Sequence, residues 1–192
     1  MKINPKAITG LWDKGFALDK HTLSSNFVGE DENGRAQFDT TRSEVGEALF
    51  QLKYRSHWAS IAPLAAELAR GAKTAFGNID MVVPMPASNV RSRQPVTDLA
   101  REVARQLGQP MNATLLQKTP TSQLKDLNTR EEKDAVLTGA FSIHPGSLGS
   151  ASLDILLVDD LVHTGASLDA ACAALRNWGK VGRLYVAVLT WR

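Results

Sequence analysis

The stretch DILLVDDLVHTGASLDAACAALRNWG, residues 154–179, carries the clearest structural pattern in the chain. Residues 155–158 are all apolar, which predicts a buried strand, and two adjacent acids, Asp159 and Asp160, follow them directly. From Leu168 onward apolar residues recur at helical spacing. The stretch therefore predicts a strand, an acidic pair at its end, a short turn and a helix.

The turn before this helix consists of the small residues Thr164, Gly165, Ala166 and Ser167. Free backbone N–H groups and the positive end of the helix dipole favour a phosphate at such a turn, and the two hydroxyls add donors. The carboxylates of the acidic pair can accept hydrogen bonds from ribose hydroxyls, directly or through Mg²⁺. The pattern thus predicts a site for a phosphorylated sugar; the alternative is a turn that only joins a strand to a helix.

Two other nucleotide-binding classes lack their motifs here. The chain contains no GxxxxGK[ST] sequence, which excludes a P-loop, and no GxGxxG follows a predicted strand.

The net charge of +2 does not indicate a nucleic-acid surface. No apolar stretch approaches the length of a membrane span and no signal-peptide core is present, so we expect a cytoplasmic protein. Cys172 is the single cysteine and is predicted to be a core residue.

The chain of 192 residues fits one main domain with a small addition. Residues 1–44 predict a strand-and-turn element with antiparallel pairing, placed as a hood, and residues 45–192 predict an α/β domain. Thr41 and Glu44 form the pattern of a capping box at the start of the first helix. From Ile79 onward strands alternate with helices, which predicts a mainly parallel sheet covered by helices on both faces.

Basic residues in two loops are candidates for binding a pyrophosphate. Pro84 and Met85 end a predicted strand and stiffen the segment that leads to Arg91 and Arg93. A guanidinium suits a pyrophosphate, although the arginines can equally be solvated loop charges.

A polar, turn-rich segment at residues 117–138 predicts a long loop. We expect residues 117–135 of this loop to act as a lid over the substrate, led by Lys118 and Arg130. A loop of this length in a compact domain is unusual, which favours a functional role.

His163 immediately precedes the phosphate turn. An imidazole there can act as an acid, a base or a contact to a nucleobase, so we predict that His163 is catalytic together with Asp159 and Asp160. The alternative is a solvent-facing loop histidine. The other histidines and Cys172 show no zinc-ligand spacing.

Several segments together resemble one family. They are ALFQLKYR (48–55), VVPMP (82–86), LAREVARQLGQP (99–110), TPTSQLKDLNTREEK (119–133), GAF (139–141) and ILLVDDLVHTGASLDAACAALR (155–176). The chain resembles the ComF/GntX-like phosphoribosyltransferase family over roughly residues 45–190, and the last segment resembles the 5-phosphoribosyl-1-pyrophosphate (PRPP) motif of type I phosphoribosyltransferases. The resemblance implies the type I phosphoribosyltransferase fold.

The same resemblance implies a function. By it, Asp159 and Asp160 face the ribose and a Mg²⁺ ion, and residues 164–167 bind the 5-phosphate of PRPP or of a ribose 5-phosphate compound. The phosphoribosyl group would pass to a nitrogenous acceptor with release of pyrophosphate. The alternative is a non-catalytic PRPP- or nucleotide-binding regulator, or a partner in DNA uptake or repair. The acceptor base stays open, as does a homodimer.

Three departures from the family pattern are present. The four-cysteine zinc element common at the N-terminus of the family is missing. The family's Arg-Gly-Phe-Asn-Gln stretch is replaced by residues 93–97, Arg-Gln-Pro-Val-Thr, which puts the role of this loop in doubt. Position 163 holds His where the family usually has Thr, which indicates a different acceptor or none.

Overall fold

A computed structural model describes residues 1–87, 92–118 and 139–192. Within these ranges the strands are β1 (Lys6–Ala7), β2 (Lys14–Lys20), β3 (Thr22–Glu30), β4 (Ala36–Arg42), β5 (Met81–Pro84), β6 (Leu116–Lys118), β7 (Phe141–Ile143), β8 (Leu153–Val162) and β9 (Val181–Trp191). The α-helices are α1 (Glu44–Tyr54), α2 (Ile61–Ala75), α3 (Pro95–Leu107) and α4 (Ala166–Asn177), with a short 3₁₀ turn at Trp58–Ser60. No helix in these ranges is long and apolar enough to cross a bilayer.

The main sheet has five strands in the order β1-β2-β9-β8-β5. β2, β9, β8 and β5 run parallel, and β1 pairs antiparallel at the edge. Ile155 of β8 lies between Met81 of β5 and Leu184 of β9. The predicted α/β class with a mainly parallel sheet is therefore confirmed.

Helices cover both faces of this sheet, and residues of β8 alternate between them. Leu156 and Val158 belong to the apolar cluster formed with α1, α2 and α3, whereas Ile155 and Leu157 belong to the cluster formed with α4. All four side chains are fully buried. A strand covered on both sides has no solvent face, which explains the continuous apolar run in the sequence.

The N-terminal region is divided between two sheets. The antiparallel pairing predicted for it is present between β3 and β4 and between β1 and β2. β2, however, also pairs parallel with β9 inside the main sheet, which the prediction missed. Phe16 and Ala17 lie in the two opposite apolar clusters, so this strand is covered on both faces. Of the region before α1, only the β3–β4 hairpin stands as a separate two-stranded sheet.

The first helix begins later than the capping-box pattern predicts. Thr41 lies in β4, and the N-cap is Ser43, whose Oγ accepts a hydrogen bond from the N–H of Gly46 at 2.9 Å. Strand pairing holds Thr41 opposite Ser24, so this residue is not available as a cap. The prediction of Thr41 as the cap is wrong, and Glu44 becomes the first residue of the helix.

The single cysteine lies in the core between α4 and the sheet. Cys172 is fully buried, and this burial raises the pKa of its thiol to about 12. Because the thiolate is the reactive form, we expect the folded protein to leave Ellman's reagent unreacted at pH 8 and the unfolded chain to react once per molecule. Fast release of one equivalent of thionitrobenzoate from the folded protein would contradict this burial.

Candidate functional site

The two acids lie within β8, not after it. The predicted strand end at Val158 is wrong, because β8 continues to pair with β9 as far as Val162 and Trp191. β5, in contrast, ends where Pro84 pairs with Val158. Beyond that pair β8 loses its neighbour on one side. Asp159 and Asp160 therefore lie at an open edge at the carboxyl end of the sheet, where ligands of such folds bind.

Strand alternation sends the two carboxylates towards opposite layers. Asp160 is on the side of α1, where its Oδ2 is 2.8 Å from the Nζ of Lys53. Asp159 is on the side of α4, and Lys118 of β6 is close enough to lower its pKa. Sequence reasoning did not select Lys53, since nothing in the pattern of α1 distinguishes it from a surface lysine.

The electrostatics of the acid pair favour a bound cation. Burial, and secondly the charge of Asp160, raise the pKa of Asp159 well above its usual range, while the Asp160 N–H, Lys53 and Lys118 act in the opposite direction. The Asp160 N–H donates to Oδ1 of Asp159 at 2.8 Å. A positive ion beside the pair would offset the cost of keeping both carboxylates charged.

The donor set fits Mg²⁺. Mg²⁺ is usually held by one or two carboxylates together with substrate phosphates. Asp159 and Asp160 offer two hard oxygen ligands, and across the described ranges no three His, Cys, Asp or Glu side chains form a larger metal cluster. These two acids are thus the residues that would hold the ion.

The turn at residues 164–167, for which the sequence predicts phosphate binding, lies at the N-terminus of α4. Gly165 is the N-cap of α4 with φ of 83°, a left-handed conformation that favours glycine. The hydroxyl of Thr164 accepts a hydrogen bond from the N–H of Ala166 at 3.4 Å. A cavity of about 140 Å³ opens at this turn and is lined by Asp159 and residues 161–168. We call it the turn cavity.

A second cavity of about 300 Å³ adjoins the first and is called the main cavity. It is lined by Lys53, Met85, Pro86, Ala87, Gln94, Pro95, Val96, Lys118, Phe141, Asp159, Asp160, Leu161 and Ser167. Asp159, Leu161 and Ser167 line both cavities. Gln94, Val96 and Phe141 are among the lining residues that sequence reasoning missed, because only the fold brings their segments to this edge.

Only some of the residues predicted to bind a pyrophosphate or to form the lid line the main cavity. Met85 and Lys118 line the main cavity, whereas Pro84 is buried at the end of β5 and does not line it. Arg93 also lies outside it: its guanidinium is 4.0 Å from the ring centroid of Trp58 and its Nε donates to Asp98. The guanidinium of Arg93 is thus engaged by Trp58 and Asp98, and its contact with a pyrophosphate stays a prediction.

Other candidates lie beyond or at the margin of the described site. Arg91, Arg130 and most of the predicted lid fall outside the described residues. His163 is exposed and lines the turn cavity, but it is not among the residues that line the main cavity.

Comparison with known proteins gives a likeness of fold. No family model and no curated protein matches the chain. Among solved structures it is similar to the glutamine PRPP amidotransferase from B. subtilis, with a TM-score of 0.51 and 14% identity over 82% of this chain. It spans 34% of that protein, about a third of its length.

A second similar structure is the adenine phosphoribosyltransferase from Trypanosoma brucei in complex with AMP, pyrophosphate and ribose-5-phosphate. The TM-score is 0.50 and the identity 13%, covering 97% of this chain and 74% of that one. The narrower ComF/GntX-like assignment has no matching family model and stays a prediction. The sheet order, the helices on both faces and these two likenesses show that the chain has the type I phosphoribosyltransferase fold.

Proposed function

We propose that this protein binds PRPP with Mg²⁺ and transfers the phosphoribosyl group to a nitrogenous acceptor, with release of pyrophosphate. The observation that carries the proposal is the pair of adjoining cavities that share Asp159, Leu161 and Ser167 at the start of α4. The turn cavity suits a phosphate, and the main cavity suits the ribose and its pyrophosphate. The similar protein from T. brucei holds ribose-5-phosphate, pyrophosphate and AMP on the same fold.

Each part of the site has a defined role in this reaction. The N–H groups and hydroxyls of residues 164–167 bind the 5-phosphate, and Asp159 accepts hydrogen bonds from the ribose hydroxyls. The acceptor nitrogen forms a bond to ribose C1 while the bond from C1 to the pyrophosphate oxygen breaks, and the nitrogen passes its proton to a base, for which His163 is the predicted candidate. When bound, Mg²⁺ supplies charge neutralisation to the leaving pyrophosphate. Fixed positions and charges lower the barrier without a covalent enzyme intermediate.

Calorimetry tests the binding step. PRPP should bind the parent chain, and more tightly with MgCl₂ than without it. The double variant Asp159→Asn/Asp160→Asn should bind much more weakly, because both carboxylate charges are lost. Asp39→Asn, on the exposed strand β4, is the matched control and should bind like the parent. Unchanged affinity in the double variant would reject the assignment. A screen of bases and amines for pyrophosphate release then tests transfer.

A second candidate function is a PRPP- or nucleotide-binding regulator without turnover. It is favoured by the position of His163, since the described lining of the main cavity contains no histidine that could serve as an acid or base beside the acceptor. The resemblance to the ComF/GntX-like family connects this candidate to DNA uptake or repair. PRPP binding without pyrophosphate release in a broad acceptor screen would favour it.

His163→Ala tests the predicted catalytic role. If the imidazole transfers a proton, turnover should fall by roughly a hundredfold or more, the usual scale for a general acid or base. The affinity for PRPP should be almost unchanged, because the turn and both acids remain. Steady-state measurement of kcat and of KM for PRPP separates these effects. A raised KM with the parent's kcat would make His163 a phosphate contact, and no change in either would make it a loop histidine.

A further inference from the structure

The ion pair between Lys53 and Asp160 is unusual for this protein. Its side chains are 26% and 13% exposed, respectively. Among the other ion pairs of the described residues, four contain an arginine side chain that is more than half exposed. These arginines are Arg70, Arg93, Arg101 and Arg105. Exposed pairs contribute little, whereas removal of one partner of a shielded pair is costly because it leaves the other charge uncompensated.

The element that carries Lys53 is firmly attached to the sheet. The α1 residues Val45, Leu49 and Leu52 are buried in the apolar cluster. Gly46 lies directly against the carbonyl oxygen of His21, at the end of β2. Lys53, in the last turn of α1, is therefore held at the edge of the main cavity by a helix whose distance from the sheet is fixed.

The backbone of Asp160 is also held in place, by a hydrogen bond from the neighbouring strand β9. The hydroxyl of Thr190, a fully buried residue of β9, donates to the carbonyl oxygen of Asp160 at 3.1 Å and is 3.2 Å from Nδ1 of His21. The backbone of Asp160 and its carboxylate are thus each held by a separate partner. Asp159 has a different environment, because it borders both cavities whereas Asp160 borders only the main one.

We infer that Lys53 is a positioning residue that holds the Asp160 carboxylate on the α1 side of the site and neutralises its charge. This inference rests on the proposed function and divides the roles of the acidic pair. Asp159, which borders both cavities, is the acid that faces the ribose. Asp160, paired with Lys53, is held at the edge of the main cavity as the second acid of the metal site. Two adjacent carboxylates would otherwise repel each other at the point where the substrate binds.

A thermodynamic cycle tests whether Lys53 acts through Asp160. In calorimetry with PRPP and saturating MgCl₂, Lys53→Met should lower the affinity by roughly 10- to 100-fold, the usual loss when a partner of a ligating side chain is removed. In the Asp160→Asn background the same change should have little further effect, because the carboxylate that Lys53 holds is gone. Lys53→Arg, which keeps the charge, should restore most of the affinity.

Lys73→Met is the matched control, since Lys73 lies on α2, bonds to the carbonyl of Gln106 and does not line the main cavity. It should bind PRPP like the parent. If Lys53→Met unfolds below the assay temperature, Lys53→Gln replaces it in the same cycle.

The outcomes separate the two proposals. If the parent does not bind PRPP, the proposed function fails. If the parent binds and Lys53→Met binds equally well, only the positioning role fails. An equal loss of affinity in the parent and Asp160→Asn backgrounds would also overturn it, because Lys53 would then act on the substrate without Asp160.

Discussion

The Asp159→Asn variant is expected to lose most of its affinity for PRPP and, at the same time, to unfold at a higher temperature than the parent chain. A hydrogen bond to a charged group contributes about 1.5–3 kcal/mol, so the loss of affinity should be roughly 10- to 150-fold. Asp159 borders both cavities, and its loss affects the ribose and the metal together. Calorimetry with PRPP and MgCl₂ measures the change.

The gain in stability follows from the direction of the pKa shift. Burial and the charge of Asp160 raise the pKa of Asp159 in the folded protein above the ordinary value of 3.8. The folded chain therefore binds a proton more tightly than the unfolded chain, and stability falls as pH rises above that value. At neutral pH the Asp159→Asn substitution removes the free-energy cost of keeping a charged carboxylate buried beside Asp160. For a domain of this size, each 1 kcal/mol should raise Tm by about 2–4 °C.

Two variants serve as comparisons for Asp159→Asn. Asp39→Asn should change neither affinity nor Tm, because Asp39 is exposed on β4. Asp160→Asn should lower Tm, since it removes the charge that pairs with Lys53 at 2.8 Å. If thermal unfolding showed a lower Tm for Asp159→Asn than for the parent, the carboxylate would be stabilising and our account of its environment would be wrong.

The local parts of the site could be predicted from the sequence, because one continuous segment contains them. The strand, the acids, the left-handed Gly165 and the helix that follows are all within residues 154–179. Their order is enough to indicate a phosphate turn at a helix N-terminus. What failed was the end of the strand. Its length is set by pairing with β9, which the pattern of apolar residues in β8 does not report.

The non-local parts could not be predicted in the same way. Lys53 reaches Asp160 only because α1 lies against the end of β2, and β2 in turn pairs parallel with β9. The same holds for Arg93, for which the sequence leaves a pyrophosphate contact and a solvated loop charge equally open. Its actual partners are the ring of Trp58 and a carboxylate of α3. The sequence shows that Lys53 and Arg93 are positively charged, but it does not show which groups they contact.

The Gly46→Ala variant is expected to destabilise the protein strongly and to weaken PRPP binding as well. A methyl group at this position would overlap the carbonyl oxygen of His21, a backbone atom that cannot rotate away. Overpacking usually costs about 1–3 kcal/mol. Alanine is about 1 kcal/mol better than glycine in a helix, which offsets part of the cost. Because the overlapped atom belongs to the backbone, we expect a cost at the upper end of that range and therefore a net loss of about 2 kcal/mol, or about 4–8 °C in Tm.

The effect on binding follows from the position of α1. Relief of the overlap moves α1 away from β2 and carries Lys53 away from Asp160, so the affinity for PRPP should fall in the same direction as in Lys53→Met. Gly149→Ala is the control, because a methyl group there would meet no atom within 4 Å. Thermal unfolding and calorimetry should show parent-like values for this control. A Gly46→Ala protein with the Tm of the parent would mean that α1 can shift without cost, and Lys53 would then not be held in place by its helix.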